Sequence, residues 1–146
     1  GADAIIDTSV ADLREQVLAA TGKGAVDIVI DPVGGPSFEP ALKTLAWRGR
    51  LIVVGFVGGH IPQARANYLL VKNIAVIGLQ ASDYRDRWPK ACAEAQAAIF
   101  AAIERGDFKP LVSAVYPISE FKSALAALRN GEIGGKAVLV PDGFRQ

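Results

Sequence analysis

The chain has 146 residues, enough for one domain of ordinary size, and 51% of them are hydrophobic, which is typical of a globular protein and not of a disordered one. Its 16 basic and 15 acidic residues leave a net charge of +1, so charge favours neither a nucleic-acid partner nor an anionic membrane surface. Every apolar run is broken well before the length of about 18 residues that a membrane-spanning helix needs.

Cysteine and methionine usage narrows the setting of the protein. A single cysteine, Cys92, excludes a disulfide within the chain and a cysteine-rich zinc site built from it. This usage favours a reducing, cytoplasmic location. The chain has no Met and begins on the approach to a strand. We therefore expect it to be part of a longer protein.

The first part of the chain predicts alternating strands and helices. This repeating pattern is typical of a parallel sheet with right-handed crossovers. In chain order we predict a strand at 4–6, a helix capped by Thr8 or Ser9 with Val10, Leu13, Val17 and Ala20 on one face, a doubly buried strand at 26–30, a helix capped by Ser37 with Phe38, Leu42 and Leu45 on one face, a strand at 51–54, a short helix at 67–72 and a strand at 74–78.

The remaining part breaks this rhythm. A helical pattern runs through 85–105, and two short strands at 112–116 and 137–140 have no obvious partner in the first sheet. A change in composition at 107–110 predicts a domain boundary. The predicted inward residues are Trp88, Cys92, Ala95, Ile99 and Ile103 on the long helix, and Phe121, Ala124, Leu125 and Leu128 on a helix between the two strands.

Two apolar runs end abruptly in glycines, at 28–35 and 51–59. Unbroken Val/Ile/Leu runs are typical of strands in parallel sheets, and glycine permits a sharp turn or a close approach to the backbone. Ligands of open α/β sheets bind beyond the carboxyl ends of the strands. The two runs thus predict either one wall of a cofactor cleft or two ordinary strand-to-helix turns.

Side chains with catalytic chemistry are sparse. His60 lies in a Gly/Pro-bounded loop without a Gly-x-Ser-x-Gly motif, and Cys92 lies on an apolar helical stripe. Lys72 and Arg85 are candidates for phosphate contact, although a solvated charge is the default for each. The carboxylates are too scattered for a metal site, and the chain has no Gly-x-Gly-x-x-Gly phosphate motif.

An ordered set of motifs over nearly the whole chain resembles the medium-chain dehydrogenase/reductase superfamily, and within it the zinc-independent quinone oxidoreductase (zeta-crystallin-like) branch. Each motif is weak alone, and their order and spacing carry the resemblance. The motifs are GADAIID at 1–7, GAVDIVIDPVGG at 24–35, GRLIVVG at 49–55, LVKNIAVIG at 70–78, Pro117-Ile118 with Ala124 downstream, and GKAVLVP at 135–141.

The resemblance implies an α/β fold in two parts. Residues 1–106 would be the second part of a Rossmann dinucleotide-binding domain, a partial parallel sheet with flanking helices. Residues 107–146 would be the returning C-terminal segment of a GroES-like catalytic domain. The glycine fingerprint and most of the catalytic domain would lie outside this chain.

The family's cofactor contacts transfer to three loops that follow the strands. They imply Asp31, Val33 and Gly34 beside the adenosine side of NADPH, Val54, Gly55 and Phe56 along the nicotinamide, and Leu79, Gln80 and Ala81 near its carboxamide. The resemblance names no catalytic residue and no metal ligand in this chain. The choice of NADPH over NADH rests on the branch alone.

The implied reaction is hydride transfer from NADPH to a quinone or an α,β-unsaturated carbonyl, and the 146 residues alone are expected to be inactive. The resemblance also implies a homodimer through the edge strand Ile74 to Gly78, with no nucleic-acid or membrane partner. Three alternatives stay open: an enoyl-reductase domain of a polyketide or fatty-acid synthase, a zinc alcohol dehydrogenase, and a non-catalytic nucleotide-binding α/β domain.

Overall fold

A computed structural model describes residues 2–8, 12–22 and 24–144 as an α/β structure. No helix within these residues is both long and apolar enough to cross a membrane. The helices are α1 Leu13–Ala20, α2 Phe38–Leu42, α3 Ala66–Lys72, α4 Ala81–Arg87, α5 Pro89–Glu104 and α6 Phe121–Arg129, and the strands are β1 Val26–Asp31, β2 Leu45–Val53, β3 Ala75–Gly78, β4 Val112–Pro117 and β5 Lys136–Val140.

The chain forms two compact units, Gly1–Pro89 and Lys90–Gln146. The first contains a three-stranded parallel sheet in the order β1-β2-β3, and the second contains the parallel pair β4-β5. These sheets and their helices confirm the predicted α/β class. The assignment of residues 1–106 and 107–146 to two domains of a larger fold stays a prediction.

One face of the three-stranded sheet packs against helices. The buried side chains there are Phe38 and Leu42 of α2 with Leu45 and Leu51 of β2, and Leu51 is completely buried. Val29 of β1 packs against this cluster, and so do residues of α3 and β3. Removing such side chains from water drives folding, so this cluster holds the three strands in place.

The opposite face of the sheet is open, so the prediction of a doubly buried strand at 26–30 is wrong for this chain. Ile28 and Ile30 of β1 are 51% and 69% exposed, and Ile77 of β3 is 43% exposed. Residues alternate between the two faces of a strand, so these isoleucines share the side away from Leu51. The apolar run indicates a strand suited to cover on both faces, and the described helices cover one.

The N-terminal segment departs from the sequence prediction. Residues 4–6 form no strand, because no described strand lies beside them to complete a hydrogen-bonded ladder. Helix α1 is capped by Asp12, whose carboxylate accepts from the Glu15 amide at 3.0 Å, and not by Thr8. Ser9 and Val10, the other residues predicted at this helix start, lie outside the described residues.

The segment between β1 and the regular part of β2 contains a shorter helix than predicted. Ser37 belongs to a 3₁₀ turn, Gly35–Ser37, and its hydroxyl donates to the Gly34 carbonyl instead of capping α2. Leu45 already pairs with Val26 of β1, but the ladder then shifts, and regular pairing begins at Arg50. The predicted helical stripe therefore ends at Leu42, and Leu45 contributes to the core from a strand.

The predicted long helix at 85–105 is interrupted at Trp88, which has φ −133° and ψ 60°. The following Pro89 disfavours the helical conformation of the residue before it. Helix α4 therefore ends at Arg87, and α5 starts at Pro89. The predicted inward stripe is also wrong for this chain, since Trp88 and Ile99 are 56% and 51% exposed and Ala95 is exposed, while Cys92 and Ile103 are half-buried.

The two C-terminal strands pair with each other in parallel, from Val112 beside Lys136 to Pro117 beside Val140. Helix α6 connects them and contacts both. Its buried residues are Ala124 and Ala127, whereas Phe121, Leu125 and Leu128 are exposed, contrary to the prediction that they face inward. Small side chains thus form the contact within this unit.

The loops that follow β1 and β2 are tied together by backbone hydrogen bonds. The amides of Val57 and Gly58 donate to the carbonyls of Pro32 and Val33 at 3.2 and 2.9 Å, and the Gly35 amide donates to the His60 carbonyl at 3.0 Å. This contact requires glycines. At Gly34, with φ +66°, a Cβ would lie 3.1 Å from both the His60 carbonyl oxygen and the Phe56 ring.

We expect Gly34→Ala to destabilise the protein by about 2–3 kcal/mol, from the positive φ together with the crowded Cβ. Gly22→Ala is the matched control, because Gly22 has φ +64° but nothing lies within 4 Å of the place that its Cβ would take. Its cost should stay at about 1 kcal/mol. Urea unfolding measures both variants, and equal losses of stability would contradict the crowding argument.

Helix α2 carries one close ion pair. Lys43 Nζ lies 2.9 Å from Glu39 Oε1 on the exposed surface. The hydrogen bond from Lys43 and its charge lower the pKa of Glu39 below its usual value of 4.5, with a smaller contribution from Arg65. A lowered carboxylate pKa contributes stability at neutral pH that is lost as the pH falls through the folded-state value.

We therefore expect Glu39→Gln to lower the melting temperature slightly at pH 7, and the difference from the unsubstituted protein to vanish in acid, once the pH lies below the lowered pKa of Glu39. Thermal melts across this pH range measure the effect. In the Glu39→Gln background, Lys43→Met should cause little further loss, because the pair is already broken. A difference that does not depend on pH would contradict the ion-pair origin.

Candidate functional site

The three parallel strands end in register at one edge of the sheet. Asp31 at the end of β1 lies beside Val53 of β2, and Val53 lies beside Gly78 of β3. The ladder continues one step further, since the Val54 amide donates to the Asp31 carbonyl and the Leu79 amide donates to the Val53 carbonyl, both at 2.9 Å. The three loops predicted to contact a cofactor therefore leave the sheet side by side.

Asp31 organises the loop after β1. Its Oδ1 accepts from the amides of Val33 and Gly34 at 2.9 and 2.8 Å, which closes a tight turn immediately after the strand. The residue is 6% exposed, and its Oδ2 is buried without a hydrogen-bond partner among the described residues. The Asp31 carboxylate is thus directed into the turn, where it holds the loop at the edge of the site in place.

An open groove of about 350 Å³ lies at the carboxyl ends of β2 and β3. Apart from one glutamine its lining side chains are apolar, and two positions are glycines that contribute backbone without a side chain. The lining residues are Val53, Val54, Gly55, Phe56, Gly78, Leu79 and Gln80. Val54, Phe56 and Leu79 are each between 37% and 42% exposed, so they present apolar surface that a ligand can cover.

Five of the nine predicted cofactor residues line this groove: Val54, Gly55, Phe56, Leu79 and Gln80. Asp31, Val33 and Gly34 lie in the adjoining loop, which is bonded to the loop after Phe56. Ala81 begins helix α4 and does not line the groove. The cofactor contacts themselves stay predictions.

Sequence reasoning missed two lining residues, Val53 and Gly78. Both are the last residues of their strands, and they reach the groove because β2 and β3 end at the same level. The Gly78 position has nothing within 4 Å of an added Cβ, so this glycine leaves space in the groove. Their positions at the ends of adjacent parallel strands are the signal by which they could have been found.

The other candidates do not converge on this groove. His60 is exposed and lines a separate polar depression that also includes Glu39, Gln63 and Arg65. Cys92 is half-buried on α5, in the second compact unit. Within 2–8, 12–22 and 24–144, no three His, Cys, Asp or Glu side chains gather as metal ligands.

Similarity to known proteins extends over nearly the whole chain. Residues 1–139 match the sequence model of the family described as zinc-binding dehydrogenase. The quinone oxidoreductase-like protein 2 of Bos taurus is 34% identical over 139 residues, which is 95% of this chain and 40% of that protein. The chain thus spans about 40% of the length of this relative.

Solved structures agree with the sequence similarity. A probable oxidoreductase from Mycobacterium abscessus has a TM-score of 0.78 and 34% identity, covering 97% of this chain and 41% of that one. A mycobacterial protein solved as a complex with NADPH has a TM-score of 0.78 and 26% identity, covering 88% of this chain and 40% of that one.

These matches extend across both compact units, and the similarity to a quinone oxidoreductase-like protein agrees with the predicted motifs. The resemblance of the motif set is therefore confirmed. The chain belongs to the zinc-binding dehydrogenase family, in the quinone oxidoreductase branch of the medium-chain dehydrogenase/reductase superfamily.

Proposed function

We propose that this chain forms the nicotinamide-binding part of an NADPH-dependent oxidoreductase that transfers hydride to a quinone or an α,β-unsaturated carbonyl. One observation carries the proposal: the apolar groove at the carboxyl ends of β2 and β3, which five predicted cofactor residues line. This is the edge at which open α/β sheets bind nucleotides.

The residues at the groove fit a nicotinamide. A flat ring needs apolar surface to cover, and Val54, Phe56 and Leu79 supply it. Glycines at Gly55 and Gly78 reduce the bulk of the wall where the ring would approach the backbone. Hydrogen-bonding capacity for the carboxamide of the ring comes from backbone groups at the strand ends.

When bound, NADPH supplies the hydride and carries the redox chemistry. The chain's own contribution is to position the reacting partners. The hydrogen-bonded loops after β1 and β2 do this, because their backbone is held by its own hydrogen bonds. The apolar side chains of the wall add surface that a bound ring would cover. The described groove holds no side chain that titrates, so the proton that completes the reduction comes from elsewhere in the native protein or from water.

The acceptor class rests on likeness to relatives, and the groove is compatible with it. The Bos taurus relative carries a quinone oxidoreductase-like name. Quinones and enones are planar and largely apolar, so they complement the apolar side chains of the groove wall. An enoyl thioester, the substrate of the enoyl-reductase alternative, has the same conjugated carbonyl. The groove therefore does not distinguish these acceptors, and acceptor assays are needed to separate the alternatives.

We expect the native protein to be stabilised by NADPH, by about 2.7 kcal/mol at a concentration one hundred times the dissociation constant. Thermal-shift titration measures this. Leu79→Asp places a charge in the groove and should abolish the shift, whereas Val57→Asp should retain it, because Val57 is 86% exposed and does not line the groove.

Oxidation of NADPH should then accompany reduction of benzoquinone, cyclohexenone or crotonyl thioester, and the best of the three names the acceptor class. The 146 residues by themselves should show little turnover. Binding of NADPH without transfer to any of the three acceptors would favour a non-catalytic nucleotide-binding protein. Absence of an NADPH shift would contradict the proposal altogether.

We also propose that the native protein is a homodimer through β3. This strand pairs only with β2 among the described strands, so its other edge offers unpaired backbone groups. Its position at the sheet edge suits pairing with a second copy about a two-fold axis.

Ile77→Lys should convert the dimer to a monomer, because it sets like charges against each other at the paired edge. Light scattering coupled to size exclusion measures the mass. Ile28→Lys, at the opposite edge of the same open face, is the matched control and should remain dimeric. Dissociation by the control alone would place the interface at β1 instead.

A further inference from the structure

Gln80 is unlike every other residue of the groove. The other six lining positions are valine, glycine, phenylalanine or leucine, so none of them carries a side-chain hydrogen-bonding group. The Gln80 amide supplies two donor hydrogens and one acceptor oxygen. Any side-chain hydrogen bond that a ligand receives from this wall therefore comes from Gln80.

The Gln80 side chain is also uncommitted. Its backbone carbonyl accepts from the Asp83 amide at 3.1 Å, which anchors the residue at the start of α4. Its side-chain amide makes no hydrogen bond to another described residue, and the residue is exposed. An anchored backbone with a free amide suits a group that binds something outside the protein.

The position of Gln80 separates it from the apolar residues that would cover a nicotinamide. Val53 and Gly78 end their strands, Leu79 follows β3 directly, and Gln80 stands one residue further out. A flat ring that covers the strand ends leaves Gln80 at the margin of the groove.

The proposed reaction develops negative charge on the carbonyl oxygen of the acceptor, where an amide N–H can stabilise it. When bound, NADPH would supply a hydride with its two electrons to the β-carbon of an enone and would leave as NADP⁺. The C=C π bond of the enone would open as the new C–H bond forms, and the negative charge would move to the carbonyl oxygen. The resulting enolate would take a proton from water at its α-carbon. A donor fixed at that oxygen stabilises the transition state more than the ground state.

We propose that the acceptor meets the ring at this margin, and that the Gln80 side-chain amide donates a hydrogen bond to the carbonyl oxygen of the acceptor. This inference rests on the proposed function, and it adds a residue that acts on the acceptor. A wall made of the other lining residues alone would favour any flat apolar molecule equally. Gln80 adds a preference for molecules with an oxygen at the groove margin.

The test compares Gln80→Leu and Gln80→Glu in the native protein, with Gln63→Leu as the matched control. Gln63 is an exposed loop glutamine in the same compact unit, and it lines the separate polar depression. Direct fluorescence titration gives the NADPH dissociation constant, and steady-state kinetics with cyclohexenone gives kcat and KM separately.

We expect Gln80→Leu to lower kcat/KM for cyclohexenone by about tenfold, the effect of losing one hydrogen bond to a charged group. The loss should be larger in Gln80→Glu, whose carboxylate opposes the developing negative charge. Because the cofactor contact at Gln80 is expected through its backbone, the NADPH dissociation constant should stay within about twofold in Gln80→Leu. Gln63→Leu should match the unsubstituted protein in both measurements.

Weaker NADPH binding in Gln80→Leu, with kcat at saturating NADPH unchanged, would overturn the inference and assign Gln80 to the cofactor. Unchanged binding with unchanged kcat/KM would also overturn it. If the unsubstituted protein binds no NADPH, the proposed function itself fails, which is a different result from either of these.

Discussion

The common level at which three parallel strands end is the constraint on which the site depends. Backbone pairing places Asp31, Val53 and Gly78 side by side, and this register follows from the packing of Leu51 and its neighbours on the covered face. A slip of one residue would exchange the two faces of a strand and expose Leu51. The same burial that stabilises the sheet therefore fixes where its loops emerge.

The loops after β1 and β2 use much of their polar backbone to hold each other. The turn closed by Asp31 and the contacts around Gly34 leave little room for larger side chains. The resulting wall is defined in shape but poor in side-chain chemistry. Such a wall suits a protein whose reactivity is carried by a bound cofactor, with Gln80 as the one polar side chain that the groove offers.

Both compact units expose apolar surface that their own helices do not cover. In the first unit this is the isoleucine face of the sheet, and in the second it includes Phe121, Leu125 and Leu128 of α6. Exposed apolar surface of this kind is typical of contact surfaces. This surface agrees with the proposals of a larger protein and of a dimer. The chain spans about 40% of the length of its Bos taurus relative.

The sequence by itself predicted most strands and helices and two of the three loops at the groove, because glycine-ended apolar runs and helical periodicity are local signals. The family and the third loop came from the resemblance of the ordered motif set. Local signals do not reveal the pairing register of strands or which faces of a sheet are covered by other elements. Only the tertiary structure decided that Val53 and Gly78 join the groove, that β4 pairs with β5, and that one face of β1 stays open. Each of these depends on which distant residues meet, and an apolar run has the same letters whether one or two of its faces are covered.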